Sequence, residues 1–367
     1  MKAHRVPDEP QLLPNNVLRL REYLEDHYRK KEKPLFTFLS GSIAEELSTP
    51  QSDYDVYAIY EDCEETETVL TNFILPIEIT SIRLSKLSSL FSSVSEGTDL
   101  ANLSPYDLLL CHRVISGIAI DGQPSFDRLR GLLSASVLSQ RLSELCSLYA
   151  ERSLKACSGN IAVGDYRSAL LNANHAVRQT FNRLLTAHGA TSLLEKWQMV
   201  YGKKFLGEQH PAYVEFIRLL SNIPYDDETL SNSYIERAFR YQQAVCDYVH
   251  FRKHSLGDFN WASRIHGLQN SSAKMLLRKS AFTRALENNG KYYLFLNSIP
   301  LLELPPEATS LWALIDGATS MDELSTKAHS ILNIAPKAFY DYLSAFSEIN
   351  ALSLEQFAFK HYKDDHE

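Results

Sequence analysis

No apolar run in this 367-residue chain approaches the length that spans a bilayer, so a transmembrane helix is not expected. The opening residues, MKAHRVPDEPQLLPNN, lack the apolar stretch of a secretion signal. Cysteine is scarce. Its five positions (63, 111, 146, 157 and 246) lie far apart and form no C-x-x-C pair. That count and spacing argue against a disulfide framework and against a cysteine metal site, and predict reduced thiols in a cytoplasmic protein. An excess of positive charge is also missing: 37 Lys and Arg face 45 Asp and Glu, for a net charge of −8. Such a balance disfavours a general nucleic-acid binder, and nothing in the chain points to a membrane partner. Internal repeats and low-complexity linkers are absent as well.

What is present reads as an ordinary globular protein, 44% hydrophobic and 22% charged, long enough for two or three domains that each bury a core. Its charge is uneven. EDCEETE (61–67) holds five acids in seven residues, whereas Phe251 to Lys291 holds eight Lys and Arg against two acids. Blocks of this kind read first as solvated faces, and the basic one could also lie near a polyphosphate or an acidic partner.

Residues 15–32 carry Val17, Leu20, Tyr23, Leu24 and Tyr28 at helical spacing, with Asn15 or Asn16 as cap and Pro34 as terminator. A strand over Leu35–Leu39, a Gly-Ser turn, a helix over Ile43–Leu47, a turn at Pro50-Gln51-Ser52, and strands over Asp53–Tyr60 and Ile74–Ile82 follow. That order predicts a small mixed-sheet α/β domain. From about residue 135 the pattern turns helical. GDYRSALLNANHAVRQTFNRLLTAHG (164–189) and NSYIERAFRYQQAVCDYVHF (232–251) each hold one apolar side, as in a helical bundle. Past residue 288, KYYLFLNSIPLLEL (291–304) alternates like a hairpin. Helices follow, marked by a stop at Gly317, a Ser320/Glu323 capping box and Pro336 at a helix start. The fold class expected is therefore α+β, in three domains: a mixed-sheet domain over 1–134, a helical bundle over 135–287 and a small winged-helix-like domain over 288–367.

The chemistry lies in LSGSIAEELSTPQSDYDVYAIY (39–60). Asp53 and Asp55 sit in an otherwise apolar strand, where an unpaired carboxylate is expensive and two repel each other. Something positive is expected there. Side chains alternate along a strand, so the two acids share a face, their Cα atoms about 6.6 Å apart. Two carboxylates on one face can share a pair of divalent cations ~3.5–4 Å apart, as in two-metal phosphoryl chemistry. Two Mg²⁺ ions suit these oxygen ligands and would supply the missing charge. Glu78, a lone charge between Ile77 and Ile79, is the candidate third ligand. Gly41 permits close backbone approach to a phosphate, and Ser42 can hydrogen-bond its oxygens.

Gly41-Ser42, a spacer of about ten, then Ser52-Asp53-Tyr54-Asp55-Val56 and a later apolar-Glu-apolar strand resemble the polymerase β-type nucleotidyltransferase superfamily. The resemblance covers about residues 15–130. LLLCHRVISGIAIDGQPSFDRLR (108–130) is similar to the end of that domain in the antibiotic-modifying branch. It implies Mg²⁺-dependent transfer of a nucleotidyl group from an NTP, ATP in the first instance. Asp53, Asp55 and Glu78 would be the metal-binding and catalytic acids, with Gly41, Ser42 and Ser52 on the nucleotide. GDYRSALLNANHAVRQTFNRLL with EKW (195–197) resembles the helical domain of kanamycin-type enzymes, which closes over the nucleotide. The basic contact to the triphosphate would then fall to Lys196, with Arg178 second. Lys196 reads equally well as a surface lysine. His175, beside Asn174 on the polar stripe of its helix, reads as a core-edge or surface histidine rather than a catalytic one.

ATSLWALIDGATSMDELSTKA (308–328) resembles PqqD-like domains, peptide-binding modules that dock the leader of a ribosomally made precursor peptide along an edge strand. The leading expectation is thus a nucleotidyltransferase whose hydroxyl acceptor is such a peptide. The alternatives are a small-molecule enzyme of the aminoglycoside-resistance type, and a non-catalytic, antitoxin-like protein acting through a partner.

Overall fold

The computed structural model describes residues 13–29, 31–49, 51–71, 73–96, 103–225, 228–266, 276–288, 290–296 and 299–354. Pro50, at the expected turn, lies outside them. The chain divides into two compact units, residues 1–141 and 142–367.

In the first unit, the apolar spacing around Leu20 and Leu24 yields α1 (Leu13–Tyr28), which stops six residues short of Pro34. The sheet comprises β1 (Phe36–Ser40), β2 (Tyr54–Tyr60), β3 (Thr66–Leu70), β4 (Ile77–Arg83) and β5 (Ile118–Asp121), in the order β3-β4-β2-β1-β5. It is mixed: β2 and β4 run parallel, and the other pairs are antiparallel. Between β1 and β2 lies one short turn, α2 (Gly41–Ala44), where the sequence suggests a helix reaching Leu47. Glu46, with φ of +60°, breaks it early. The acidic run at 61–67 is exposed, apart from half-buried Cys63, and its end opens the edge strand β3. The connections after β4 hold α3 (Leu84–Glu96) and α4 (Pro105–Ser116), and α5 (Gln123–Arg130) follows β5.

Alternation along β2 separates two faces. Tyr54, Val56 and Ala58 join Leu39, Ile77, Ile79 and Ile120 in a core closed by Leu20 and Leu24 of α1. On the opposite face Tyr57 stacks on Phe38 at 5.0 Å between ring centroids, and Phe126 of α5 covers Phe38. Asp55 and Glu78 belong to this second face. α4 begins with a full capping box, Ser104 and Asp107 bonding each other's backbone N–H, and ends at Gly117.

α6 (Ala135–Ala162) carries the chain into the second unit. There α7 (Tyr166–Ala187), α8 (Gln198–Phe205), α9 (Pro211–Ser221), α10 (Glu228–His254) and α11 (Trp261–His266) provide the helices. Phe181 of α7 stacks on Phe216 of α9 at 3.8 Å. The C-terminal part follows: β6 (Leu277–Lys279), β7 (Thr283–Asn288), β8 (Lys291–Leu296), β9 (Ile299–Leu304), α12 (Pro306–Leu314), α13 (Met321–Leu332), α14 (Pro336–Glu348) and β10 (Leu352–Leu354). β7, β8 and β9 form one antiparallel sheet, and β10 pairs with β6. A domain boundary at residue 288 would therefore cut at the end of β7 and leave β6 behind. Trp312 is fully buried here beside Phe346, in a core that also takes Phe251 and Leu256 from the end of α10 and just beyond it. Asp247 of α10 accepts from Arg264 Nη1 at 2.6 Å and from Lys279 Nζ at 2.5 Å, all three side chains about 5% exposed. Arg284 of β7 pairs with Glu151 of α6. Helices and C-terminal strands are thus stitched together by buried charge within one unit.

Candidate active site

The register of the first sheet brings the expected acids together. Asp55 of β2 lies opposite Glu78 of β4, and on its other side opposite Ser40 of β1. Partners in register point to the same face, so the two carboxylates share it. Asp53 stands one residue before β2, and its charge reaches Glu78. Burial raises the pKa of the Glu78 carboxyl, as do the charges of Glu67, Asp55 and Asp53. Glu67 sits on β3, two residues from Val69, which faces Glu78. It contributes to the field although its acidic run reads as a solvated face.

The positive charge expected beside these acids is present as a side chain. Arg113, in the last turn of α4, is 8% exposed and donates from Nη1 to Asp55 Oδ2 at 2.9 Å. Burial disfavours its charge, but Tyr57, Asp55 and Glu45 outweigh that and hold the guanidinium above its ordinary value. Its backbone carbonyl accepts from Ser40 Oγ at 3.0 Å, tying α4 to β1. The neighbouring His112 Nε2 lies 2.9 Å from Glu45 Oε1, a pair buried at 3% and 9% exposure that fastens the residue after α2 to the same helix. The sequence holds a signal for both: His112-Arg113 interrupts the apolar run LLLC-HR-VI, as Asp53 and Asp55 interrupt theirs.

Gly41 is where the backbone must come closest. Its φ is +75°, and a Cβ there would stand 1.7 Å from Asp55 Oδ2 and 2.3 Å from Arg113 Nη1. Only glycine admits the carboxylate and the guanidinium against this turn. Ser42 follows in α2, and its carbonyl accepts from Leu47 N–H at 2.7 Å. The hydroxyl of Ser52 is spent locally, accepting from Thr49 N–H at 2.8 Å.

The remaining expected contacts lie in the second unit. Arg178 Nη1 is 3.3 Å from Glu195 Oε2, and its Nε donates to Asn174. Lys196 is exposed, its Nζ 5.2 Å from the centre of the Trp197 ring. His175 Nδ1 lies 2.8 Å from Ser153 Oγ, in keeping with a histidine at a helix interface.

The three acids suit a hard divalent cation by chemistry, being carboxylate oxygens, two of them on one face of the sheet. As they stand, no group of three His, Cys, Asp or Glu among the described residues closes into a cage for an ion. Arg113 takes the contact with Asp55 instead.

No protein-family model matches the chain, and no curated protein does. Among solved structures, the crystal structure of a nucleotidyltransferase-like protein from Exiguobacterium sibiricum 255-15 aligns with 66% of this chain and 81% of its own, at 15% identity and a TM-score of 0.39. A likeness of that degree decides nothing by itself. None of the described helices is long and apolar enough to cross a membrane.

Proposed function

We propose that the chain is a nucleotidyltransferase that moves a nucleoside monophosphate from an NTP to an acceptor hydroxyl. The observation that carries this reading is the register of Asp55 against Glu78 on parallel neighbouring strands, with Asp53 just ahead and the Gly41 turn alongside. Asp53, Asp55 and Glu78 would hold Mg²⁺, which neutralises phosphate charge and makes the acceptor hydroxyl a better nucleophile. Gly41 and Ser42 receive the outer phosphates. Glu78 takes the proton of the acceptor hydroxyl. The acceptor oxygen bonds to the α-phosphorus, the bond to the bridging oxygen breaks, and pyrophosphate leaves with the electron pair.

The acceptor is proposed to be a peptide. β9 is an outer strand of its sheet, and it leaves Ile299 60% and Leu301 41% exposed. An extended peptide could pair with that edge and bury both side chains. Pro300 contributes no donor, so pairing would rest on Leu301 to Leu304.

The test uses the full chain, Mg²⁺ and ATP labelled at the α- or the γ-phosphate, with leader-bearing peptides and aminoglycosides as parallel acceptors. Transfer of the α label and not the γ label to a peptide is expected. Transfer to the aminoglycoside alone would replace the peptide by a small molecule. Transfer of γ label would overturn nucleotidyl chemistry.

A further inference from the structure

We propose that Arg113 is the resident counter-ion of the acid site, that it releases Asp55 when a divalent cation binds, and that its guanidinium then turns to the phosphates of the NTP. The inference rests on the metal-dependent reading above and adds a residue to it.

Four observations carry it. First, the guanidinium and a bound cation would compete for one carboxylate, because Nη1 already lies 2.9 Å from Asp55 Oδ2. A divalent ion coordinated to that carboxylate within ordinary Mg²⁺ distances would face the guanidinium across a few ångströms of protein, where like charges repel strongly. Second, the guanidinium has donor capacity to spare. Arg113 Nε is buried and finds no acceptor, although the residue is only 8% exposed. A buried donor left unpaired is costly, and a phosphate that took two N–H groups of the planar fork would remove that cost. Third, Nη1 lies against Gly41, the place where a phosphate would approach, so the change of partner is a short swing. Fourth, the backbone at Arg113 is held. Its carbonyl accepts from Ser40 Oγ at 3.0 Å, and α4 is fixed by the Ser104/Asp107 box at its start. The side chain can therefore move while the helix stays.

The consequence is an ordered site. Without nucleotide the protein carries its own cation at Asp55 and takes up metal poorly. With nucleotide, the phosphates compensate the arginine, and metal and NTP bind together.

The experiment measures Mn²⁺ binding to the nucleotide-free full chain by electron paramagnetic resonance, and Mn²⁺-dependent binding of an NTP analogue that cannot be cleaved between the α- and β-phosphates. Arg113→Met removes the charge and keeps most of the volume. It is expected to bind Mn²⁺ at least about tenfold more tightly than wild type and the analogue at least about tenfold more weakly. Arg113→Lys, which keeps the charge without the fork, is expected to leave Mn²⁺ affinity near wild type and to weaken the analogue. It also serves as the second variant should the methionine protein fail to fold. Equal Mn²⁺ affinity in wild type and Arg113→Met, abolished in both by Asp55→Asn, would overturn the competition and leave the acid site standing. A folded Arg113→Met protein that binds no Mn²⁺ at all would overturn the metal reading itself, and the inference with it.

Discussion

Asp55 meets three neighbours with separable consequences: a guanidinium, a glycine and a carboxylate. Asp55→Asn removes half of the ion pair with Arg113 as well as the ligand charge. Loss of transfer rate should reach at least ~10²-fold, because such catalysis is mostly charge stabilisation and positioning. A wild-type rate in Asp55→Asn would contradict its assignment. Gly41→Ala acts differently, since a methyl group 1.7 Å from Asp55 Oδ2 must push the carboxylate away and the backbone there sits at φ +75°. Thermal unfolding should show a loss of roughly 1–3 kcal/mol, the cost of strain at such a position, together with lost NTP binding. Unchanged binding would mean that the phosphates do not approach the turn. Glu78→Gln should cost more in turnover than in NTP affinity if Glu78 serves the acceptor hydroxyl. Comparing the two losses by transfer assay and calorimetry separates that role from simple metal holding.

At the scale of elements, buried charge links α10 to the C-terminal strands. Asp247 serves both Arg264 and Lys279, and burial draws the pKa of Lys279 down to about 8 despite that partner. Asp247→Ala would leave two cations buried without it. Urea unfolding should show a loss of about 3–5 kcal/mol, the usual result of breaking a buried pair by removing one partner, and a change under 1 kcal/mol would contradict the linkage. Acid should weaken the same unit. Burial lowers the pKa of His188 to about 4 and of His250 to about 3. Both stay neutral in the folded chain below the pH at which they protonate when unfolded. The unfolded state then binds more protons, so stability should fall as pH drops from about 6.5 toward 4. Asn in place of either histidine should flatten that decline in a pH series of melting temperatures.

Strong patterns were legible at this scale and weak ones were not. Short apolar runs bounded by turns marked β1, β2 and β4 within a few residues of their bounds, and long 3.6-period stripes marked α7 and α10. β3 escaped because its residues, TETVL, are mostly exposed and follow four acids, so no alternation of burial shaped the sequence. The four residues of β5 are too few to show a period. The acids were readable from their spacing, because a carboxylate in an apolar strand stands out. The pairing of Arg113 with Asp55 was not, because the two lie 58 positions apart and only the fold brings them together. The sequence hinted at a missing cation, and the structure sets the Arg113 guanidinium against Asp55.

For the molecule as a whole, the C-terminal module does not stand apart from the helices. Its sheet begins at β7, its small second sheet at β6, and Phe251 and Leu256 belong to its core. A fragment starting at 288 would lack both strands and expose that core. It should show no cooperative melt by circular dichroism, whereas residues 142–367 should melt cooperatively; a sharp transition in the short fragment would contradict this division. The account of the whole chain turns on Asp55 and its neighbours holding an NTP through a divalent cation. The most direct measurement is equilibrium binding of α-labelled ATP to the full chain, with and without Mg²⁺, in wild type and Asp55→Asn. Binding that requires Mg²⁺ in wild type and disappears in Asp55→Asn is the result predicted. Binding that ignores both the metal and the substitution would contradict it.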